Sequence, residues 1–318
     1  MKTQLRALRL LSLNVNGLNC LVKRQALFAA VLQKGFDVVL LQETHHESES
    51  EGLSWAEAGA WPHKSWSGPS FWSHGTSSSR GVAVLVREGG SAENPVCTHN
   101  SSDGRICSVT FQFLGKTHTV INVYAPSNDT EHKKRFFLQD LLPCLPAHNC
   151  RVLVGGDFNC IGSGLDCTQG SAASRVGGFE GGLQVVTHQH NLLDVWRAQH
   201  GKRSGFTHKS TAGTWARLDR WYSPQDLATW AVAQRRPVVG LPGDHLGVQL
   251  ELRPPQPSFR GPGSWTFSNS LLSQADFRQS VRQRASSVLN TPLSCFEDSH
   301  SKRQKHLKNV LRLLSRDW

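Results

Sequence analysis

The chain has 318 residues, 38% of them hydrophobic, with 35 Lys and Arg against 24 Asp and Glu and a formal charge of +11. That length supports one large α/β domain plus an appendage, and no apolar run approaches a membrane span. A balance this basic suits a polyanionic partner and disfavours an anion-repelling site.

Leu8 to Val15 is expected as the first strand, with polar Asn14 and Asn16 where a signal peptide would place small residues, which argues against secretion. Lys23 to Lys34 carries Leu27, Val31 and Leu32 at helical spacing and ends at Gly35; Val38 to Gln42 is a continuously apolar strand. Glu47 to Arg80, rich in Ser, Gly and Pro, reads as a long irregular region. Its Trp55, Trp61, Trp66, Phe71 and Trp72 are divided between core filling and ligand contact. Gly81 to Arg87, Ile106 to Phe113 and Thr117 to Tyr124 follow as strands. Thr130 to Leu145 has the pattern of an amphipathic helix capped by Asn128 or Asp129 and broken at Pro143. After a strand at Arg151 to Asp157, helical patterns cover Phe179 to His190, weakened by Gly181 and Gly182, and Leu192 to Gln199. Short strands are expected at Gly205 to His208, Thr214 to Tyr222, Ala231 to Val239 and Gly247 to Leu252. Strands in blocks with helices between them predict an α/β four-layer sandwich: two mixed β-sheets packed face to face with helices outside. Arg253 to Gly263 is rich in Pro and Gly, so the expected division is a domain over 1–254, a linker over 255–264 and a basic helical extension over 265–318. Residues 255–318 hold ten Lys and Arg but four Asp and Glu, on helices expected around Leu271 to Val288 and Ser301 to Leu314. The eight cysteines form no CxxC pair, which fits reduced, intracellular thiols.

Four stretches end in groups that bind metal or phosphate: LSLNVNG (11–17), VVLLQET (38–44), RVLVGGDFN (151–159) and LPGDHL (241–246). A buried strand that delivers a carboxylate and a carboxamide, Asp157 and Asn159, to its end incurs desolvation unless something there requires both. A metal-bound phosphate would. Taken singly, each motif is also ordinary turn chemistry.

In order, LNVNG, LLQETH, INVYAPSN, GGDFN, LDRWY and GDH resemble the exonuclease-endonuclease-phosphatase superfamily over residues 5 to 254. Within it they are most similar to the apurinic-type endonuclease domain of non-LTR (long interspersed) retrotransposon polyproteins. SWTFSNSLLSQADF resembles the segment that joins this domain to a reverse transcriptase in the same polyproteins. The resemblance implies a magnesium-dependent endonuclease, with manganese as a substitute. It would nick one strand of double-stranded DNA and leave a 3′-hydroxyl that primes reverse transcription in the nucleus. It also implies the residues: Glu43 as principal metal ligand with Asn14 and Asp244, and Tyr124 at the scissile phosphate. Asp157 and Asn159 would orient and deprotonate water, and Asp219 would hold the ring of His245. Either Asp157 or His245 could be the general base. Asn16 stands where repair enzymes carry Asp, and Gly243 where retrotransposon domains carry Ser.

The same resemblance places a minor-groove hairpin at His208 to Thr214, so Thr207, His208, Lys209, Ser210 and Thr211 are DNA-contact candidates, joined by Trp66 and Arg80 from the aromatic loop. The bland alternatives are a plain polar turn for the hairpin, a core role for Tyr124, and an ion pair of Asp219 with Arg217 or Arg220 on a surface strand. His45, His46, His188 and His190 read as ordinary surface groups. The tail KRQKHLK could contact element RNA, act as a nuclear signal, or form a solvated helix face. Competing functions are an apurinic/apyrimidinic repair endonuclease or another phosphodiesterase of the superfamily, a lipid or inositol phosphatase, and a DNA-binding module with a decayed site.

Overall fold

Each sheet of this protein is apolar on both faces, because side chains alternate along its strands and both faces are covered. The computed structural model describes residues 7–57, 66, 68–127, 129–146, 151–168, 179–236, 243–254, 269–296 and 300–317. Its strands are β1 (Leu8–Asn14), β2 (Val38–Gln42), β3 (Ser70–Ser73), β4 (Val82–Val86), β5 (Glu93–Asn100), β6 (Ile106–Phe113) and β7 (Lys116–Tyr124). They continue with β8 (Arg151–Asp157), β9 (Leu192–Asp194), β10 (His208–Lys209), β11 (Trp215–Ala216), β12 (Asp219–Pro224), β13 (Ala231–Arg236) and β14 (Gly247–Leu252).

Two six-stranded sheets form, in the orders β13-β14-β1-β2-β4-β3 and β5-β6-β7-β8-β12-β9, while β10 and β11 make a separate hairpin. Both sheets are mixed: β1 and β2 are parallel, as are β7 and β8, whereas β12 runs antiparallel to β8. Alternation sorts β1 to either side, with Leu8 and Leu10 packed between the sheets and Leu11 and Leu13 on the outer face. The outer face of the first sheet is covered by the helix Leu21–Lys34 through Leu27, Phe28 and Val31, and that helix ends at Gly35 in a left-handed cap. The other outer face is covered by Phe136, Phe137 and Leu141. The predicted four layers are therefore present.

Between the sheets, Gly155 leaves room for the Trp221 indole; a Cβ there would lie 2.6 Å from its ring. Trp221 Nε1 in turn donates to Val248 O at 2.9 Å, tying the second sheet to the first. A buried polar bridge does the same nearer the strand ends: Gln42 donates to Ser12 and Asn122, and Asn122 donates to the carbonyls of Leu41 and Ala83.

Several expectations need correction. The stretch read as irregular contains the helix Glu49–Glu57 and strand β3, stabilised by burial of Trp55 and Trp72 rather than by local propensity. Strand β5 was not expected; it is a mostly exposed edge with two register shifts, so no apolar alternation betrays it. The helix from Thr130 changes its winding without breaking at Pro143: it widens over Phe136–Leu141 and tightens over Leu142–Cys144. Only Gln184–Gln189 of the next helix is regular, since Gly181 turns left-handed, and Leu192–Asp194 is a strand before the helix Val195–His200. Thr214 to Tyr222 divides into β11 and β12, and the strand placed at Gly205 begins only at His208.

The chain divides into two compact units, Met1–Gln256 and Pro257–Trp318. The second contains helices Asn269–Ser273, Ala275–Asn290 and His300–Asp317. The expected linker over 255–264, like Trp61 and Asn128, lies outside the described residues. Among the described residues no helix is long and apolar enough to cross a membrane.

Candidate active site

The strand pairings bring the acidic residues to one place. Tyr124 is opposite Asp157 across the parallel β7–β8 pair, and Asp219 is opposite Asp157 across the antiparallel β8–β12 pair. Asn14 ends β1 beside Gln42, which places Glu43 next in line. At the close approach of β8 to β7, Gly156 has φ +148°, and a Cβ there would lie 1.9 Å from Val123 O. No side chain is tolerated at that point.

Asn14 joins the two halves of the site. Its Nδ2 donates to Glu43 Oε1 at 2.9 Å and to Asp157 Oδ2 at 3.0 Å, while its Oδ1 accepts from the Asn16 backbone N–H at 3.0 Å. That backbone donor fixes the amide orientation. Asn14 thus orients the carboxylates, and its carbonyl oxygen accepts one N–H with a second lone pair remaining. Burial raises the Glu43 carboxyl, but hydrogen bonds from His45, Asn14 and Tyr124 outweigh it and hold Glu43 down at about 2. Tyr124, buried and beside Glu43 and Asp157, is pushed well above the ordinary phenol range, so it is a neutral donor.

Across the site, His245 Nδ1 and Asp219 Oδ2 share a hydrogen bond of 2.8 Å, and His245 Nε2 lies 3.9 Å from Asp157 Oδ2. Burial opposes a charged ring, yet the charge and hydrogen bond of Asp219, with Asp157 behind, raise His245 far above an ordinary histidine. Burial and the Asp219 charge push Asp157 upward. Asn159, left-handed at φ +46°, donates its backbone N–H to Asp157 Oδ1 and its Nδ2 to Ala125 O. Asp157, Asp219 and His245 offer ligand-type atoms within 4.8 Å of one another. Three carboxylates, Glu43, Asp157 and Asp219, are thus answered by His45 and His245 alone among the described residues that ion-pair with them. A hard divalent cation taking oxygen ligands fits this donor set.

Other candidates are placed differently. Thr207 is buried; its Oγ1 accepts from the N–H groups of Leu218 and Asp219, both at 3.1 Å, so it positions Asp219 and is not a DNA contact. Trp66 is packed into the outer core with Nε1 on Val86 O, which removes it from any nucleic-acid surface. Arg80 is left-handed on the loop before β4 and its carbonyl accepts from His45. His208 and Lys209 form β10, and Ser210 accepts from Thr214 to close the hairpin, with Lys209 and Thr211 exposed. Asp244 is 43% exposed, and Gly243 beside it is open: the nearest atom to an added Cβ is 4.0 Å away. Asp219 does not pair with Arg217 or Arg220, which turn instead to Asp166 and Asp194.

Sequence reasoning missed four residues. His45 lies 3.5 Å from Glu43, and His46 is wholly buried against Trp55 and Trp72, so neither is a surface group. Arg105 sits over the Tyr124 ring and donates to its carbonyl. Lys23 Nζ holds the carbonyls of Val15 and Asn16 and acts electrostatically on Asp244 and Glu43. Only His45 had a signal, its adjacency to the QET motif.

The chain is 29% identical over 281 residues to the Transposon TX1 uncharacterized 149 kDa protein of Xenopus laevis, covering 87% of this chain and spanning 20% of that protein. Its fold is similar to the AP endonuclease LMAP from Leishmania major, with TM-score 0.65 and 17% identity over 79% of this chain and 89% of that one. It is also similar to the endonuclease domain of TRAS1, a telomere-specific non-LTR retrotransposon, with TM-score 0.53 and 12% identity over 78% and 99% of the two chains. A model of the Endonuclease/Exonuclease/phosphatase family matches residues 11–258, and the chain belongs to that family.

Proposed function

We propose that this chain is a divalent-cation-dependent DNA endonuclease that nicks one strand of a duplex and leaves a 3′-hydroxyl for priming reverse transcription of a retrotransposon. The observation that carries this is the anionic excess gathered by Asn14 at the strand ends, opposite a histidine held by Asp219. The transposon relative favours this branch of the family over a repair enzyme. Magnesium, or manganese in its place, would be held by Glu43 and Asp244, with Asn14 orienting Glu43. When bound it neutralises phosphoryl oxygens and supports the departing alkoxide.

Asp157 is the base and His245 the donor. A ring kept charged by Asp219 has no lone pair to accept with, whereas Asp157, driven upward by burial and Asp219, takes a proton more readily than an ordinary carboxylate. Water oxygen bonds phosphorus and its proton passes to Asp157; the P–O3′ bond breaks to leave a 5′-phosphate, and the departing 3′-alkoxide takes a proton from solvent water. Tyr124 and protonated His245 donate to the phosphoryl oxygens as charge develops. The exposed tip of the β10–β11 hairpin supplies the DNA contact. In this reading the enzyme acts in the nucleus as part of a polyprotein with a reverse transcriptase, and the basic helices of the second unit are available to element RNA.

Nicking of supercoiled plasmid with magnesium by wild type, Asp157→Ala and His245→Ala, followed by sequencing of the cut ends, tests the proposal. Nicking by wild type and its loss in both variants is expected. Cleavage of abasic DNA alone, with intact duplex untouched, would sink the retrotransposon branch.

A further inference from the structure

Around Asp244 and His245 a different donor chemistry gathers. We infer that His208, Asp244 and His245 form a second cation site, a two-histidine, one-carboxylate set that takes a transition metal such as Zn2+ or Co2+. Their ligand-type atoms lie within 4.8 Å of one another, with His208 Nε2 3.6 Å from Asp244 Oδ2 and the two imidazole centroids 4.6 Å apart.

The backbone builds this arrangement. His208 and His245 face each other in an antiparallel bridge, flanked by Lys209 N–H on Asp244 O at 3.0 Å and Leu246 N–H on Thr207 O at 2.6 Å. Neither histidine therefore has to be recruited from a mobile loop. Because His245 Nδ1 is tied to Asp219, Nε2 is the atom left for a metal, which binds by displacing the Nε2 proton; a carboxylate behind a ligating imidazole fixes its tautomer and strengthens it as a donor. Asp244 at 43% exposure gives an ion access from solvent and leaves a position open for water.

The two sites share Asp244 and differ in the donors around it. Imidazole nitrogens favour zinc and cobalt, whereas magnesium seeks oxygen and keeps its waters. A transition metal here also occupies His245 Nε2, so it inhibits magnesium-supported cleavage. That consequence rests on the proposed function; the binding does not.

The test uses the full chain without DNA, titrated with Co2+ while its visible absorption is followed, then with Zn2+ and Mg2+ as competitors. Wild type is expected to bind one Co2+ without a thiolate charge-transfer band, displaced by Zn2+ and not by equimolar Mg2+. His208→Phe, which keeps a ring beside His245, and Asp244→Ala at its exposed position should each weaken binding at least about tenfold, the scale of losing a metal-site contact. Glu43→Gln should leave it unchanged. Circular dichroism identifies folded variants, and if His208→Phe does not fold, Asp244→Ala decides. Absence of the Co2+ bands in wild type, wild-type affinity in a folded His208 or Asp244 variant, or loss of binding in Glu43→Gln overturns the inference.

Discussion

Two buried acid clusters lie close together in this chain and differ in what answers their charge. Asp166 and Asp194 meet Arg197, Arg217 and Arg220: Arg217 Nε is 2.7 Å from Asp166, its Nη2 is 2.7 Å from Asp194, and Arg197 also reaches Asp166. Burial would raise the Asp166 carboxyl, but the arginines hold it at about 2. Among the described residues, only imidazoles ion-pair with Asp157, Asp219 and Glu43, and Asp157 is displaced upward. A balanced network of this kind holds segments together; an unbalanced one is electrostatically short of a cation and able to exchange protons.

The largest effect should come from breaking the unbalanced cluster without disturbing its shape. Asp157→Asn is expected to lower plasmid nicking about 10³-fold, the range of a lost general base, while leaving the urea midpoint nearly unchanged. Equal losses of activity and stability would place Asp157 among structural groups. The balanced cluster should respond in the opposite way. Asp166→Asn leaves buried Arg217 and Arg220 to share Asp194 alone among the described carboxylates and should destabilise by about 3–5 kcal/mol in urea unfolding, against far less for Asp219→Asn. Similar costs for the two would erase the distinction.

A third buried titratable group sharpens the comparison, because aromatic rings surround it. His46 is fully buried with Trp55 and Trp72, its Nδ1 on the Thr44 hydroxyl, and burial lowers it from 6.5 to about 4. The folded chain favours the neutral ring, so the unfolded chain takes the proton first. Its stabilising contribution is complete above pH 6.5 and falls as pH drops toward 4, by about 3 kcal/mol at most. Urea unfolding across that window, for wild type and His46→Gln, checks it; parallel pH profiles would rule it out. The smallest effect is expected at Gly243, where a Cβ meets open space. Gly243→Ser should fold normally and keep nicking within about twofold, below the 1.4 kcal/mol of a tenfold change. A marked fall would mean that the added hydroxyl engages Asp244 or His245 unproductively.

Much of the site was legible because its residues end strands. Asn14, Glu43, Asp157 and the GDH turn each follow an apolar run, a local signal that survives without tertiary knowledge. Trp66 and Thr207 were misassigned for the converse reason: an aromatic or a threonine in a polar stretch looks available until burial is known. Their structural roles, on Val86 O and on the Asp219 backbone, involve partners 20 and 12 residues away. Strand β5 escaped because an exposed edge needs no apolar period, and His46 because nothing local distinguishes it from His45.

By itself the sequence determined the layered α/β class, most of the strands, and the order in which reactive side chains reach their ends, since apolar periodicity and glycine turns are local properties. Only the tertiary structure decided which charges meet. Arg217, Asp219 and Arg220 are near neighbours in sequence, yet the arginines close on Asp166 and Asp194 while Asp219 turns to His245. The register of β12 on β8, which sets Asp219 opposite Asp157, makes that separation. Long-range pairing of this kind is fixed by packing two sheets together, and no local pattern encodes it.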